Sequence, residues 1–131
     1  MIRTRFAWLL LILGCLLLLG VIGMAFARRN VPIPDLHDSE PCFSGIFNAI
    51  GAFSLLLTGG YLALRLPHNI LAWTMLAAGF GYANHLFAVA YTYTSYLVVA
   101  EPLPLTALMF VLAAVGISVQ LPAVPLIVLL F

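Results

Sequence analysis

Apolar residues run along this chain in four long stretches separated by short polar segments. The stretches cover about residues 6–26, 43–64, 70–91 and 105–130. Each approaches the ~20 residues a helix needs to cross ~30 Å of hydrocarbon. Leu9–Leu13 and Leu16–Leu19 show no alternation of polar and apolar positions, which argues against the strands of a membrane barrel. A backbone in lipid must satisfy its polar groups internally, and helices do so within each segment. The pattern predicts an all-α integral membrane protein: one antiparallel bundle of four transmembrane helices, occupying residues 1–131 as a single region.

Composition strengthens that reading. Hydrophobic residues make up 65% of the 131 and charged residues only 7%. A soluble domain carries about 25% charged residues, so lipid is the expected partner over most of the surface. The net charge of +1 implies no nucleic-acid partner. The expected location is the cell inner (plasma) membrane, crossed several times.

The first stretch ends in Ala25-Phe26-Ala27, which mimics a signal-peptidase site. Its length exceeds the 7–15 apolar residues of a signal sequence, and it reads as an uncleaved anchor helix. Asn30 to Cys42, with Pro32, Pro34 and Pro41, reads as a loop. Arg65-Leu66-Pro67-His68-Asn69 reads as a tight connection, with Asn69 capping the helix that follows. A loop containing Tyr91, Tyr93, Tyr96, Pro102 and Pro104 is expected next. Pro122 and Pro125 fall inside the fourth stretch, and a bend is expected near Pro122.

Arg3, Arg5 and Arg65 fall on one side of a four-span topology, Arg28 and Arg29 on the other. The positive-inside rule then places both termini in the cytoplasm. Trp8 and Trp73 come to the inner interface and the tyrosines to the outer one, as an aromatic belt requires.

Four polar side chains lie within the stretches: Asn48, Asn84, His85 and Gln120. Such groups are costly in lipid and normally face the bundle interior. Small residues share their faces: Gly45, Ala52 and Gly59 with Asn48; Ala77, Gly81 and Ala88 with Asn84; Ala113 and Gly116 with Gln120. Asn48 lies roughly 8 Å from the outer end of its span, and Asn84 and His85 roughly 9–10 Å from theirs. An interhelical polar layer of Asn48, Asn84 and His85 is expected, with Asn84 as the direct partner of Asn48. Gln120 forms a second layer nearer the cytoplasm. The reading favours hydrogen-bonded packing over a ligand or proton site.

Asp35, His37, Asp38 and Glu40 cluster in the first loop, but no metal-ligand spacing is matched, and they read as a solvated loop. No phosphate-binding glycine loop, zinc spacing or nucleophile elbow occurs. No cofactor, metal or catalytic residue is implied, and the chain is not expected to be an enzyme.

The stretch Leu64-Arg65-Leu66-Pro67-His68-Asn69-Ile70-Leu71-Ala72-Trp73, followed by Leu76-Ala77-Ala78-Gly79, resembles an element of bacterial sensor histidine kinases. In their multi-helix N-terminal membrane regions a cytoplasmic turn reads Arg-x-Pro-x-Asn-Pro-Ile-Gly-Trp. Arg65, Pro67, Asn69 and Trp73 match it, with Ile70 and Ala72 in place of the second proline and the glycine. Leu121–Phe131 resembles the family's fourth helix. The resemblance covers residues 50–131 and implies a membrane-sensing module in signal transduction, truncated before the kinase core, with a cytoplasmic Arg65 turn. None of His37, His68 or His85 stands where a phospho-accepting histidine would. The alternatives are a small transporter or channel subunit, or an accessory protein of a membrane complex. Self-association or a membrane partner protein fits the small-residue faces.

Overall fold

A computed structural model describes residues 2–28, 41–97, 99 and 103–130. Those residues form four α-helices: α1 (Ile2–Arg28), α2 (Pro41–Arg65), α3 (Ile70–Leu97) and α4 (Thr106–Leu130). Three helical segments, Ile2–Arg28, Gly45–Arg65 and Thr106–Leu129, are long and apolar enough to cross a membrane. α3 is longer still, at 28 residues, but Thr74, Tyr82, Asn84, His85 and a run of tyrosines and threonines lower its hydropathy.

The interior is built from small residues. The buried apolar side chains are mostly alanines, and Leu18, Val21, Leu56 and Leu76 are the larger exceptions among the described residues. Large apolar side chains such as Leu16, Leu19, Phe47, Phe110, Val115 and Leu121 point outward. Small residues inside allow helix backbones to approach closely. α2 and α3 approach backbone to backbone. A Cβ built on Gly79 would sit 2.6 Å from the backbone N and Cα of Leu56, and one on Gly59 would sit 2.6 Å from the carbonyl carbon of Met75. Gly14 of α1 receives the side chain of the same Leu56, and Gly60 of α2 receives Leu11. Residue numbers thus rise along one helix as they fall along the next. α1 and α3 instead pair in step: Phe6 stacks on Trp73 at 6.1 Å, Gly20 faces Phe87, and the Arg28 guanidinium lies 5.9 Å from the Tyr93 ring. Among the described residues α3 touches all three other helices, whereas α4 packs on α3 and on no other helix.

Several boundaries differ from the sequence pattern. α1 begins at Ile2, ahead of the apolar stretch. Pro41 opens α2, at the first helical position, where its missing N–H costs nothing. α3 continues past Tyr91 to Leu97, so Tyr91, Tyr93 and Tyr96 lie on the helix and not in a loop. The hydroxyls of Thr92 and Thr94 donate back to the carbonyls of Ala88 and Ala90 in this extension. α4 runs as one helix through Pro122 and Pro125. Asp35, His37, Asp38, Glu40 and the Cys42 side chain lie outside the described residues.

Candidate functional site

The α2–α3 turn holds Arg65, Pro67, Asn69 and Trp73 together. The Leu66 amide donates to the Leu62 carbonyl at 2.7 Å, ending α2, and the Asn69 amide donates to Leu66 at 3.0 Å. Asn69 then caps α3, its Oδ1 accepting from the Leu71 amide at 2.9 Å, which satisfies one of the free donors of the first turn. The Trp73 indole donates to the Pro67 carbonyl at 3.0 Å, folding the turn back onto the helix. The Arg65 guanidinium sits 5.7 Å from the Tyr61 ring, one turn back.

The polar side chains along the helices pair differently from the expected layer. Asn48 is exposed on α2, and its Oδ1 accepts from the Tyr82 hydroxyl at 3.1 Å. Asn84 and His85 turn toward α4 instead. The Asn84 amide nitrogen donates to the Leu112 carbonyl at 2.7 Å, and His85 Nδ1 bonds the Ala113 carbonyl at 2.9 Å. The reason is rotation about the α3 axis. At 3.6 residues per turn, Tyr82 and Asn84 stand on nearly opposite faces. Level along the helix was legible, but the facing partner was not. Gln120 is half-buried on α4 and takes no part in these bonds.

A carbonyl oxygen only accepts, so His85 Nδ1 is the donor in this bond. Beside this pair the two backbones nearly touch. A Cβ on Gly116 would lie 2.6 Å from the Gly81 carbonyl oxygen and 2.8 Å from the His85 amide nitrogen. The crossing of Gly81 and Gly116 brings the α4 carbonyls within reach of the α3 side chains.

The far end of this seam is a second polar cluster. Ser95 and Thr106 are buried, their hydroxyl oxygens 3.2 Å apart. Ser95 accepts from the Leu103 amide at 2.7 Å, and Thr106 donates to the Leu103 carbonyl at 2.7 Å. The Tyr91 hydroxyl donates to the Pro104 carbonyl. The cluster holds Leu105 at φ 74°, a backbone region costly for a bulky residue. Sequence reasoning missed Ser95 because it falls beyond the apolar stretch.

The described seam therefore joins α3 side chains to the α4 backbone at Leu112 and Ala113, and to Leu103, Pro104 and Thr106 at its far end. No protein-family model, curated protein or solved structure matches the chain.

Proposed function

We propose that the chain is a non-catalytic, multi-pass protein of the cell inner (plasma) membrane, folded as an antiparallel four-transmembrane-helix bundle. We propose further that it serves as the membrane-sensing part of a sensor histidine kinase. Three helices of spanning length support the membrane reading. So does a surface of exposed leucine, valine and phenylalanine over an alanine interior, because apolar area on that scale is not stable against water. In this reading α3 is the fourth span, its side chains at Tyr82, Asn84 and His85 bonded to α2 and α4.

The observation that carries the sensing role is the attachment of α4. Among the described residues it packs on no helix but α3, along an extensive seam that includes a glycine crossing and hydrogen bonds from Asn84 and His85. Packed interfaces of this kind switch between discrete arrangements, so a helix with one neighbour is suited to pass a shift onward. The matching turn residues Arg65, Pro67, Asn69 and Trp73 point to the same family. A transporter would need a connected polar path. Here the polar side chains sit on opposite faces of α3, each engaged with a neighbouring helix.

The test is a chimaera carrying the catalytic core of a sensor histidine kinase after Phe131. Replacing His85 with Leu is expected to change autophosphorylation several-fold while helix content stays constant. Autophosphorylation indifferent to His85 and to Asn84 would contradict the sensing role.

A further inference from the structure

We propose that the end of the molecule where α1 begins and α2 turns into α3 binds the phosphate of an anionic phospholipid, at a site formed by Arg3, Thr4 and His68. The proposal goes beyond the sensing role and rests on the membrane reading alone.

An open cavity of about 450 Å³ lies there, lined by Ile2, Arg3, Thr4, Pro67 and His68. Arg3 Nη1 is 3.1 Å from His68 Nδ1 and 3.4 Å from the Pro67 carbonyl oxygen. A guanidinium can only donate, so His68 Nδ1 accepts, and the neutral ring carries its proton on Nε2. That leaves an N–H donor, the remaining guanidinium donors and the Thr4 hydroxyl around one cavity. The partners of Arg3, a histidine ring nitrogen and a carbonyl, carry no negative charge. The sequence has no acidic residue between Met1 and Pro34 or between Pro41 and Ala100. Arg5 and Arg65 stand exposed at the same end. The cavity thus brings hydrogen-bond donors from Arg3, Thr4 and His68 together at an end of the molecule that also carries Arg5 and Arg65.

A phosphodiester oxyanion fits this chemistry, because planar guanidinium donors match its oxygens. Its place favours lipid over a free anion. Trp73 bonds Pro67 beside the cavity, and Phe6 stacks on Trp73, aromatic company suited to headgroup depth. Next to it on α1, an apolar furrow runs from Arg5 and Trp8 along Leu9, Ile12, Leu13 and Leu16, a path for an acyl chain below a bound headgroup.

Trp8 and Trp73 are the two tryptophans, so a Trp8→Phe variant reports from Trp73 alone. The full chain is reconstituted into phosphatidylcholine nanodiscs and titrated with phosphatidylglycerol or phosphatidylcholine brominated near the headgroup. Phosphatidylglycerol is expected to quench Trp73 at a mole fraction several-fold lower than phosphatidylcholine. Arg3→Gln is expected to weaken that preference about five-fold, the worth of one arginine near an anionic surface, with unchanged circular dichroism. Arg28→Gln, at the opposite end, is expected to leave it intact. Equal quenching by both lipids, or a preference that survives Arg3→Gln and His68→Gln together, would overturn the site. Reversal by inorganic phosphate would overturn the lipid assignment in favour of a free anion. Failure to reconstitute at all would instead refute the membrane reading, and the site with it.

Discussion

Gly59→Ala is expected to destabilise the fold by about 1–3 kcal/mol, the usual cost of forcing extra volume into a packed interior. The new methyl would fall 2.6 Å from the carbonyl carbon of Met75 and 2.7 Å from the Cα of Leu76. Both are backbone atoms, and no rotamer change moves them aside. α2 and α3 must separate, which also loosens Leu56, the side chain that fills the space at Gly14. Gly79→Ala meets the Leu56 backbone in the same way and should cost a similar amount. Gly23 has nothing within 4 Å of a built Cβ, so Gly23→Ala is the control, expected to be neutral or slightly stabilising because alanine favours helix. Denaturant titration of helix content in mixed micelles reads the difference. Gly59→Ala and Gly23→Ala behaving alike would refute the backbone contact between α2 and α3.

Gly116→Val is expected to release α4 selectively. Even the first added carbon lies 2.6 Å from the Gly81 carbonyl oxygen. The displacement also pulls the Leu112 and Ala113 carbonyls from Asn84 and His85. At about 0.6 kcal/mol for each bond, added to about 2 kcal/mol for overpacking, the loss is about 3 kcal/mol. Among the described residues α4 has no second neighbouring helix to hold it. Hydrogen exchange should therefore rise along residues 106–130 while the α2–α3 crossing stays protected. Uniform acceleration over all four helices, or none, would contradict an α4 held by α3 alone.

The sequence pattern makes the helices legible because their signal is bulk hydrophobicity, which depends little on neighbours. Four apolar stretches become four helices. Their ends are less legible. The tyrosines and threonines after Tyr91 lower hydropathy without breaking the helix, since each threonine bonds its own preceding turn. Rotation is hidden more deeply. Asn48 meets Tyr82 and not Asn84, and a tyrosine in an apolar stretch announces itself as a belt residue before it announces itself as a donor. The small-residue faces signal close approach, yet Gly59 and Gly79 meet backbone while Gly45 and Gly51 meet nothing within 4 Å. Spacing alone cannot separate those cases, because the crossing point depends on how two helices tilt. Leu105, left-handed without being glycine, carries no local signal. The bonds of Ser95 and Thr106 to Leu103 fix the backbone just before it.

We propose a four-span bundle with both termini in the cytoplasm, and thiol accessibility tests it most directly. The Arg65–Asn69 turn and the start of α2 must then lie on opposite sides of the membrane. In intact cells, an impermeant thiol reagent is expected to label the native Cys42 from outside. A cysteine placed at His68, in a chain with Cys42→Ser, is expected to react only after lysis. Labelling of both positions from the same side, or of His68→Cys in intact cells with Cys42 protected, would contradict the account.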